Sequence, residues 1–170
     1  GGGFIGLEVA ASARHRGCNV KVLEISNRLL GRGVPSSVSD YFLKLHQSHN
    51  VDVRLNTGVK SIEGGDHLSG VVTSSGELLP ADLVVIGIGI SPETKLAEQT
   101  GLKIDNGIVV NEFCQTSDPL IFAAGDVTNH YNPLVGRHIR LEAWQCAQNM
   151  AIAAAKIMCG EKTPYAEVPW

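Results

Sequence analysis

No apolar run in the sequence approaches the length of a membrane span and no signal peptide precedes its first glycine, so a soluble cytoplasmic protein is the default expectation. The four cysteines, Cys18, Cys114, Cys146 and Cys159, are far apart and form no C-x-x-C pair, which leaves no local redox disulfide, iron–sulfur motif or metal motif. They read as reduced, mostly buried small apolar residues. His46 and His49 have no acid or cysteine at metal spacing beside them and read as surface residues, so no metal is expected. A net charge of −3 argues against nucleic acid as the main partner. The chain also lacks an initiating Met and any strand before its opening glycine turn, and it therefore reads as a piece of a longer protein.

What is present suits an α/β protein whose strands are buried on both faces: 44% hydrophobic residues, 18% charged residues and 19 glycines in 170 residues. By length this is one domain, with two pieces possible.

The opening stretch Gly1-Gly2-Gly3-Phe4-Ile5-Gly6 sets Gly1, Gly3 and Gly6 at G-x-G-x-x-G spacing. In that pattern the first glycine permits a tight turn, the second lets backbone approach a pyrophosphate, and the third lets helix pack on strand. A helix follows through Val9–Arg16 and stops at Gly17, a natural residue for its C-terminal turn. Asn19–Glu24 reads as a strand, and Glu24 lies eighteen positions past Gly6, where a βαβ unit needs a carboxylate for an adenosine ribose. Such a glycine run is equally at home in an ordinary turn, and Glu24 in a solvated strand end. In the loop that follows, Arg28 and Arg32 either flank an adenine or are solvated.

Ser36–Ser48 carries Val38, Phe42 and Leu45 on a helical stripe, and Val51–Leu55 alternates as a half-buried strand does. Three short strands come next, 59–63, 69–73 and 77–79, separated by Gly64-Gly65-Asp66 and Ser74-Ser75-Gly76, which is turn chemistry suited to an antiparallel meander. Asp82–Gly89 is a continuous apolar run, expected as a central parallel strand whose end at Ile88 and Gly89 opens toward a ligand. Ser91-Pro92 is the expected boundary. Beyond it come a short helix around Lys95–Ala97, a strand at Ile108–Val110, a buried strand over Pro119–Asp126 ending in a Gly-Asp corner, and an Ala-rich helix from Trp144 to Cys159.

Five motifs in this order resemble the FAD-dependent pyridine nucleotide-disulfide oxidoreductase superfamily. Within it they are similar to the ferredoxin reductases of bacterial aromatic-ring dioxygenase and haem monooxygenase systems. The motifs are GGGFIGLEVA at 1–10, VLE at 22–24, VVIGIG at 84–89, FAAGDV at 122–127 and RLEAWQCAQN at 140–149. The resemblance implies a Rossmann-like NAD-binding domain with an antiparallel β-meander over residues 1–91, which lacks its first strand. It further implies the returning part of an FAD-binding α/β domain over 92–162, and the start of a C-terminal interface domain over 163–170.

It implies FAD and NAD(H) as cofactors, with NADH reducing the flavin and single electrons leaving to an iron–sulfur ferredoxin or a rubredoxin. Gly1, Gly3, Ile5 and Gly6 would hold NAD(H), Glu8 would lie near the nicotinamide, Glu24 on the ribose, Arg32 by the adenine, and Ile88 and Gly89 at the ligand-facing strand end. Gly125 and Asp126 would contact the ribityl and phosphate region of FAD, and Trp144 would stand beside the isoalloxazine. No side chain is expected to act as acid, base or nucleophile, so no catalytic residue is assigned. Arg137, His138 and Arg140 form a basic cluster that either steers an acidic ferredoxin or is a solvated loop. An NADH-sensing flavoprotein of the apoptosis-inducing type, and rubredoxin, nitrite or thiol-dependent reductases, are the alternatives. The oligomeric state is left open.

Overall fold

A computed structural model describes residues 1–168, so Pro169 and Trp170, the end of the expected 163–170 segment, lie outside the described residues. The chain divides into two compact units, Gly1–Gly89 and Ile90–Trp170, each with its own apolar core.

In the first unit the small residues after the glycine turn form α1 (Phe4–His15), which ends where Gly17 takes φ +85. Leu7 and Ala10 are its buried residues, three positions apart on one face, and they pack with Val22, Leu29, Leu30 and Val51. Val22 belongs to β1 (Lys21–Leu23), which pairs in parallel with β2 (Asp52–Arg54). The crossover between them contains α2 (Ser36–Ser48). The meander follows as β3 (Val59–Gly64), β4 (Leu68–Thr73) and β5 (Leu78–Pro80), antiparallel in the order β3-β4-β5.

Two expectations for this unit need correction. Residues 82–89 are not a buried central strand: Leu83, Ile86 and Ile88 are 80%, 66% and 75% exposed. A strand exists through the ladder it shares with a neighbour, and no described strand lies hydrogen-bonded beside this run. His46 is not a surface residue but is buried at 7% exposure. The inward face of α2 runs Ser39, Phe42, Leu43, His46, a true i, i+3, i+4, i+7 set, one position off the stripe that the apolar residues alone suggest.

In the second unit the elements are α3 (Lys95–Gln99), β6 (Ile108–Val110), β7 (Thr128–Asn132), β8 (Arg137–Ile139) and α4 (Trp144–Met158). β6 pairs in parallel with β7, and β7 antiparallel with β8. α4 buries Cys146, Met150 and Ala154, spaced i, i+4, i+8, against Val110, Cys114 and Tyr165. Tyr165 reaches that core because its N–H donates to the Glu112 carbonyl at 2.7 Å.

The expected buried strand over 119–126 is also corrected. Its first half is a turn: Ile121 N–H bonds the Asp118 carbonyl at 3.0 Å and Leu120 N–H bonds Asp118 Oδ1 at 2.9 Å. An Asp-Pro pair favours this local bonding over a ladder, and among the described residues a single bridge, Gln115 to Phe122, remains. The β7–β8 hairpin gives no apolar alternation to read. β7 buries Thr128, Asn129, His130 and Asn132 instead, and three of these place a side-chain donor on a backbone carbonyl: Thr128 on Gly125, Asn129 on Asp105 and Asn132 on Glu167. The cysteines divide evenly, with Cys114 and Cys146 buried and Cys18 and Cys159 exposed at the ends of α1 and α4.

Candidate dinucleotide-binding site

The glycine turn is shaped by close backbone approaches. A Cβ on Gly6 would overlap the Gly1 carbonyl oxygen, and one on Gly1 would stand 2.6 Å from the Gly87 carbonyl oxygen. Gly2, in a position the motif leaves free, is equally constrained, since a Cβ there would lie 2.5 Å from Leu29 Cδ2 and 3.2 Å from Glu24 Oε2. Gly3 is the exception. A Cβ on it would meet nothing within 4 Å, at φ −81 and ψ −177. The open side of the turn is therefore at Gly3, next to the first turn of α1. No side chain caps that helix and no acidic residue sits in its first turn. Unsatisfied N–H groups at a helix N-terminus are a seat for phosphate oxygens.

Glu24 stands at the end of β1, half-buried, with Oε2 accepting the Gly2 N–H at 2.7 Å and Oε1 accepting the Ser26 N–H at 2.8 Å. Burial pushes its pKa up, but the Ser26 and Gly2 hydrogen bonds outweigh burial and hold the carboxyl below its ordinary value. The Ser26 hydroxyl also lowers the pKa, and the carboxylate still has lone-pair capacity beyond these bonds for a hydroxyl.

The structure brings several predicted residues to this turn. Ile88 Cγ2 lies 3.5 Å from a Cβ placed on Gly1, and Ile5 and Gly6 face Gly87. Arg32 is exposed, with Nη1 3.9 Å from a Cβ placed on Gly89. Glu8 is exposed further along α1, and no hydrogen bond ties it to the turn. Arg28 donates to Val34 and Gly31 carbonyls in its own loop. Sequence reasoning missed Gly2 and the neighbours that fix it, Leu29 and Leu30. The signal available was Gly2 itself, the middle of three consecutive glycines, in a slot where the motif allows any residue.

In the second unit, Gly125 sits at φ +83 with the position of its missing Cβ 3.4 Å from Ala147 Cβ, in the first turn of α4. Thr128 holds the corner by donating its N–H and its hydroxyl to the Gly125 carbonyl at 2.9 Å and 2.7 Å. Asp126 is half-buried beside it. α4, like α1, has no side-chain cap, and Trp144 at its start is 81% exposed. A carboxylate and an uncapped helix terminus suit the hydroxyls and phosphates of a second nucleotide cofactor. A cavity of about 550 Å³, lined by Lys103, Gln115, Thr116, Tyr131 and His138 among others, holds none of the predicted cofactor residues. In the basic cluster Arg137 and His138 are exposed, but Arg140 is committed, 2.7 Å from Glu142 Oε1 and donating to Asn106.

A glycine turn opening an uncapped helix, with a carboxylate at the end of the next strand, defines an α/β protein of the Rossmann dinucleotide-binding class. The chain belongs to the pyridine nucleotide-disulphide oxidoreductase family, whose model matches residues 1–151. It is 46% identical over 170 residues to the ferredoxin–NAD(+) reductase component of the anthranilate 1,2-dioxygenase system of Burkholderia cepacia, an alignment covering all of this chain and 42% of that protein. Among solved structures it superposes on a ferredoxin reductase for the CYP199A2 system from Rhodopseudomonas palustris with TM-score 0.95 and 38% identity, covering all of this chain and 42% of that one. It superposes on the reductase of a covalent putidaredoxin reductase–putidaredoxin complex with TM-score 0.93 and 42% identity, at the same coverage. The chain spans about two fifths of the length of the curated relatives it matches. Among the described residues no helix is long and apolar enough to cross a membrane, and no cluster of potential metal ligands occurs.

Proposed function

We propose that the full-length protein carrying this chain is an FAD-dependent NADH:ferredoxin reductase that supplies an oxygenase from the cytoplasm. The observation that carries the reading is the glycine turn, open at Gly3 and flanked by the ionised Glu24. The names of its relatives support ferredoxin as the acceptor class. Residues 1–91 form the NAD(H)-binding domain, 92–162 part of the FAD-binding domain, and 163–170 the start of an interface domain.

When bound, FAD supplies the exchange between a two-electron donor, NADH, and a one-electron iron–sulfur acceptor. The chain's own residues bind and orient. The first N–H groups of α1 hold the pyrophosphate of NAD(H), Glu24 accepts from the adenosine ribose, Arg32 flanks the adenine, and Glu8 lies toward the nicotinamide end. Asp126 would accept ribityl hydroxyls, with Gly125 giving close backbone approach, and the exposed Trp144 would shield the flavin from water. No side chain moves a proton. Arg137 and His138 steer an acidic ferredoxin, whereas Arg140, already paired with Glu142, contributes less.

The test is anaerobic, NADH-driven reduction of an iron–sulfur ferredoxin by full-length protein, followed in the visible spectrum at several ionic strengths. Multiple turnovers, with Arg137→Glu slowing the reaction at low salt and converging on the parent at high salt, are expected. A long-lived NADH-reduced flavin that passes nothing to any ferredoxin or rubredoxin would instead identify a sensor.

A further inference from the structure

Gly2 is held at both of its backbone polar groups, and neither hold comes from the helix it leads into. Its N–H donates to Glu24 Oε2 at 2.7 Å, and its carbonyl accepts the Leu30 N–H at 2.9 Å. Leu30 makes that bond from φ +53, a left-handed conformation unusual for leucine, while its side chain is buried at 4% exposure. The preceding Leu29 is 1% exposed and its carbonyl accepts the hydroxyl of Ser39, so α2 anchors the same loop. Glu24 is tied down in turn. Its N–H donates to the Arg54 carbonyl at 3.0 Å, its carbonyl accepts the Thr57 N–H at 2.9 Å, and its second carboxylate oxygen is on Ser26.

We infer that Glu24 is a positioning residue for the phosphate turn as well as a ribose contact: its carboxylate, acting with the Leu30 N–H, clamps Gly2 and so aims the first N–H groups of α1 before any nucleotide arrives. This rests on the NAD(H) reading of the glycine turn. An ionised acceptor makes the stronger hydrogen bond, and the backbone donors around Glu24 keep it ionised. Gly2 has no donor or acceptor left to offer a ligand beyond a carbonyl lone pair, so its part is to anchor, and the N–H groups after it do the binding. A ligand that engages only the pyrophosphate seat therefore depends on Glu24 without touching it.

Two probes separate the roles: ADP-ribose, and its analogue with a 2′,3′-dideoxy adenosine ribose, which keeps the pyrophosphate and lacks the hydroxyls that face Glu24. Full-length parent, Glu24→Ala and Glu24→Gln proteins are titrated with each by calorimetry, and amide hydrogen exchange is followed in the nucleotide-free proteins. Glu24→Ala is expected to weaken the dideoxy probe about tenfold, the loss that follows when a buried N–H is left unpaired. Glu24→Gln, with one acceptor oxygen, falls between. Exchange at Gly2 and Leu30 should quicken in Glu24→Ala while the meander amides of 59–80 keep the parent's protection, which certifies the fold. If Glu24→Ala weakens ADP-ribose alone and leaves the dideoxy probe and Gly2 exchange untouched, Glu24 is a ribose contact only and the clamp is wrong. If the parent binds neither probe nor NADH, the NAD(H) reading falls, and the exchange result alone upholds or overturns the clamp.

Discussion

Arg28 donates from Nη1 to the Val34 carbonyl at 3.0 Å and from Nη2 to the Gly31 carbonyl at 2.6 Å, so its guanidinium is spent on the loop that carries it. A 2′-phosphate arriving at Glu24 would meet a carboxylate held in its charged form; of the two arginines in this loop, Arg32 alone makes no hydrogen bond or ion pair among the described residues. The expected outcome is a preference for NADH over NADPH of about a hundredfold in kcat/KM, the scale of lost charge-assisted hydrogen bonds together with like-charge contact. Glu24→Ala should lower both efficiencies and NADH the more, narrowing the gap. Steady-state assays of the full-length protein with each nucleotide decide it, and equal efficiency in the parent would take Glu24 out of the specificity role.

Gly3 and Gly6 should separate binding from folding. Gly3→Ala adds a methyl group to open space at a backbone conformation any residue adopts, so stability should stay within about 0.5 kcal/mol of the parent. The methyl stands on the side where a pyrophosphate would lie, and NADH affinity should fall about tenfold or more. Gly6→Ala forces a methyl group onto the Gly1 carbonyl oxygen and should cost about 1–3 kcal/mol of stability. Thermal unfolding and calorimetric titration of both variants test the pair. Loss of stability in Gly3→Ala with NADH affinity intact would reverse the assignment.

Acid should weaken the fold in two windows. His46 and His130 both have pKa values below the ordinary 6.5, in each case through burial first and a neighbouring histidine second, His49 and His138 respectively. Among the described residues His130 Nε2 is buried without a hydrogen-bond partner, so protonation there would leave a charge with no acceptor. With the folded pKa depressed, the unfolded chain takes up the proton first as pH falls, and stability drops below about pH 6.5. Glu24 acts lower. Its folded pKa lies under 4.5, so its contribution is full above that value and is lost as pH falls through the folded pKa. Urea midpoints measured from pH 8 down to pH 5 should decline only in the lower half of the range, and less in a His46→Gln/His130→Gln protein. A parent whose midpoint tracks that of the double variant throughout would show that neither histidine matters.

Thiol reactivity should follow burial. Burial, with a smaller contribution from Cys146, pushes the Cys114 thiol up to about 11, and the thiolate is the reactive form. At neutral pH iodoacetamide is expected to label Cys18 and Cys159 in the native protein, and Cys114 and Cys146 only after unfolding, as read by peptide mass mapping. Native labelling of Cys114 as fast as that of Cys18 would contradict the core packing around α4.

Where local chemistry decides the backbone, the sequence was legible. α2 runs Ser36–Ser48 and the three meander strands lie where glycine-rich turns punctuate the chain. Glu24 ends β1 with its carboxylate on the glycine turn, the place that βαβ spacing predicts for it. The apolar runs at 82–89 and 119–126 read as buried strands and are not, since composition reports that a segment wants burial but not which strand is there to bond it. The polar strand Thr128–Asn132 is illegible for the opposite reason: Asn129 and Asn132 enter the core on the carbonyls of Asp105 and Glu167, which lie far away in sequence, while His46 is carried in by its place on the inward face of α2. The constraint on Gly2 is not local, because it is set by a leucine and a glutamate more than twenty residues downstream.

The left-handed Leu30 makes its position a narrow gate for mutation. Glycine would take φ +53 without strain but would empty a buried site, whereas valine or isoleucine would fill the site and resist the dihedral. Asparagine tolerates the dihedral but brings an amide into an apolar cluster. Replacement at residue 30 is thus confined to apolar side chains unbranched at Cβ, leucine and methionine foremost, although neither motif spacing nor hydrophobic pattern marks the site out.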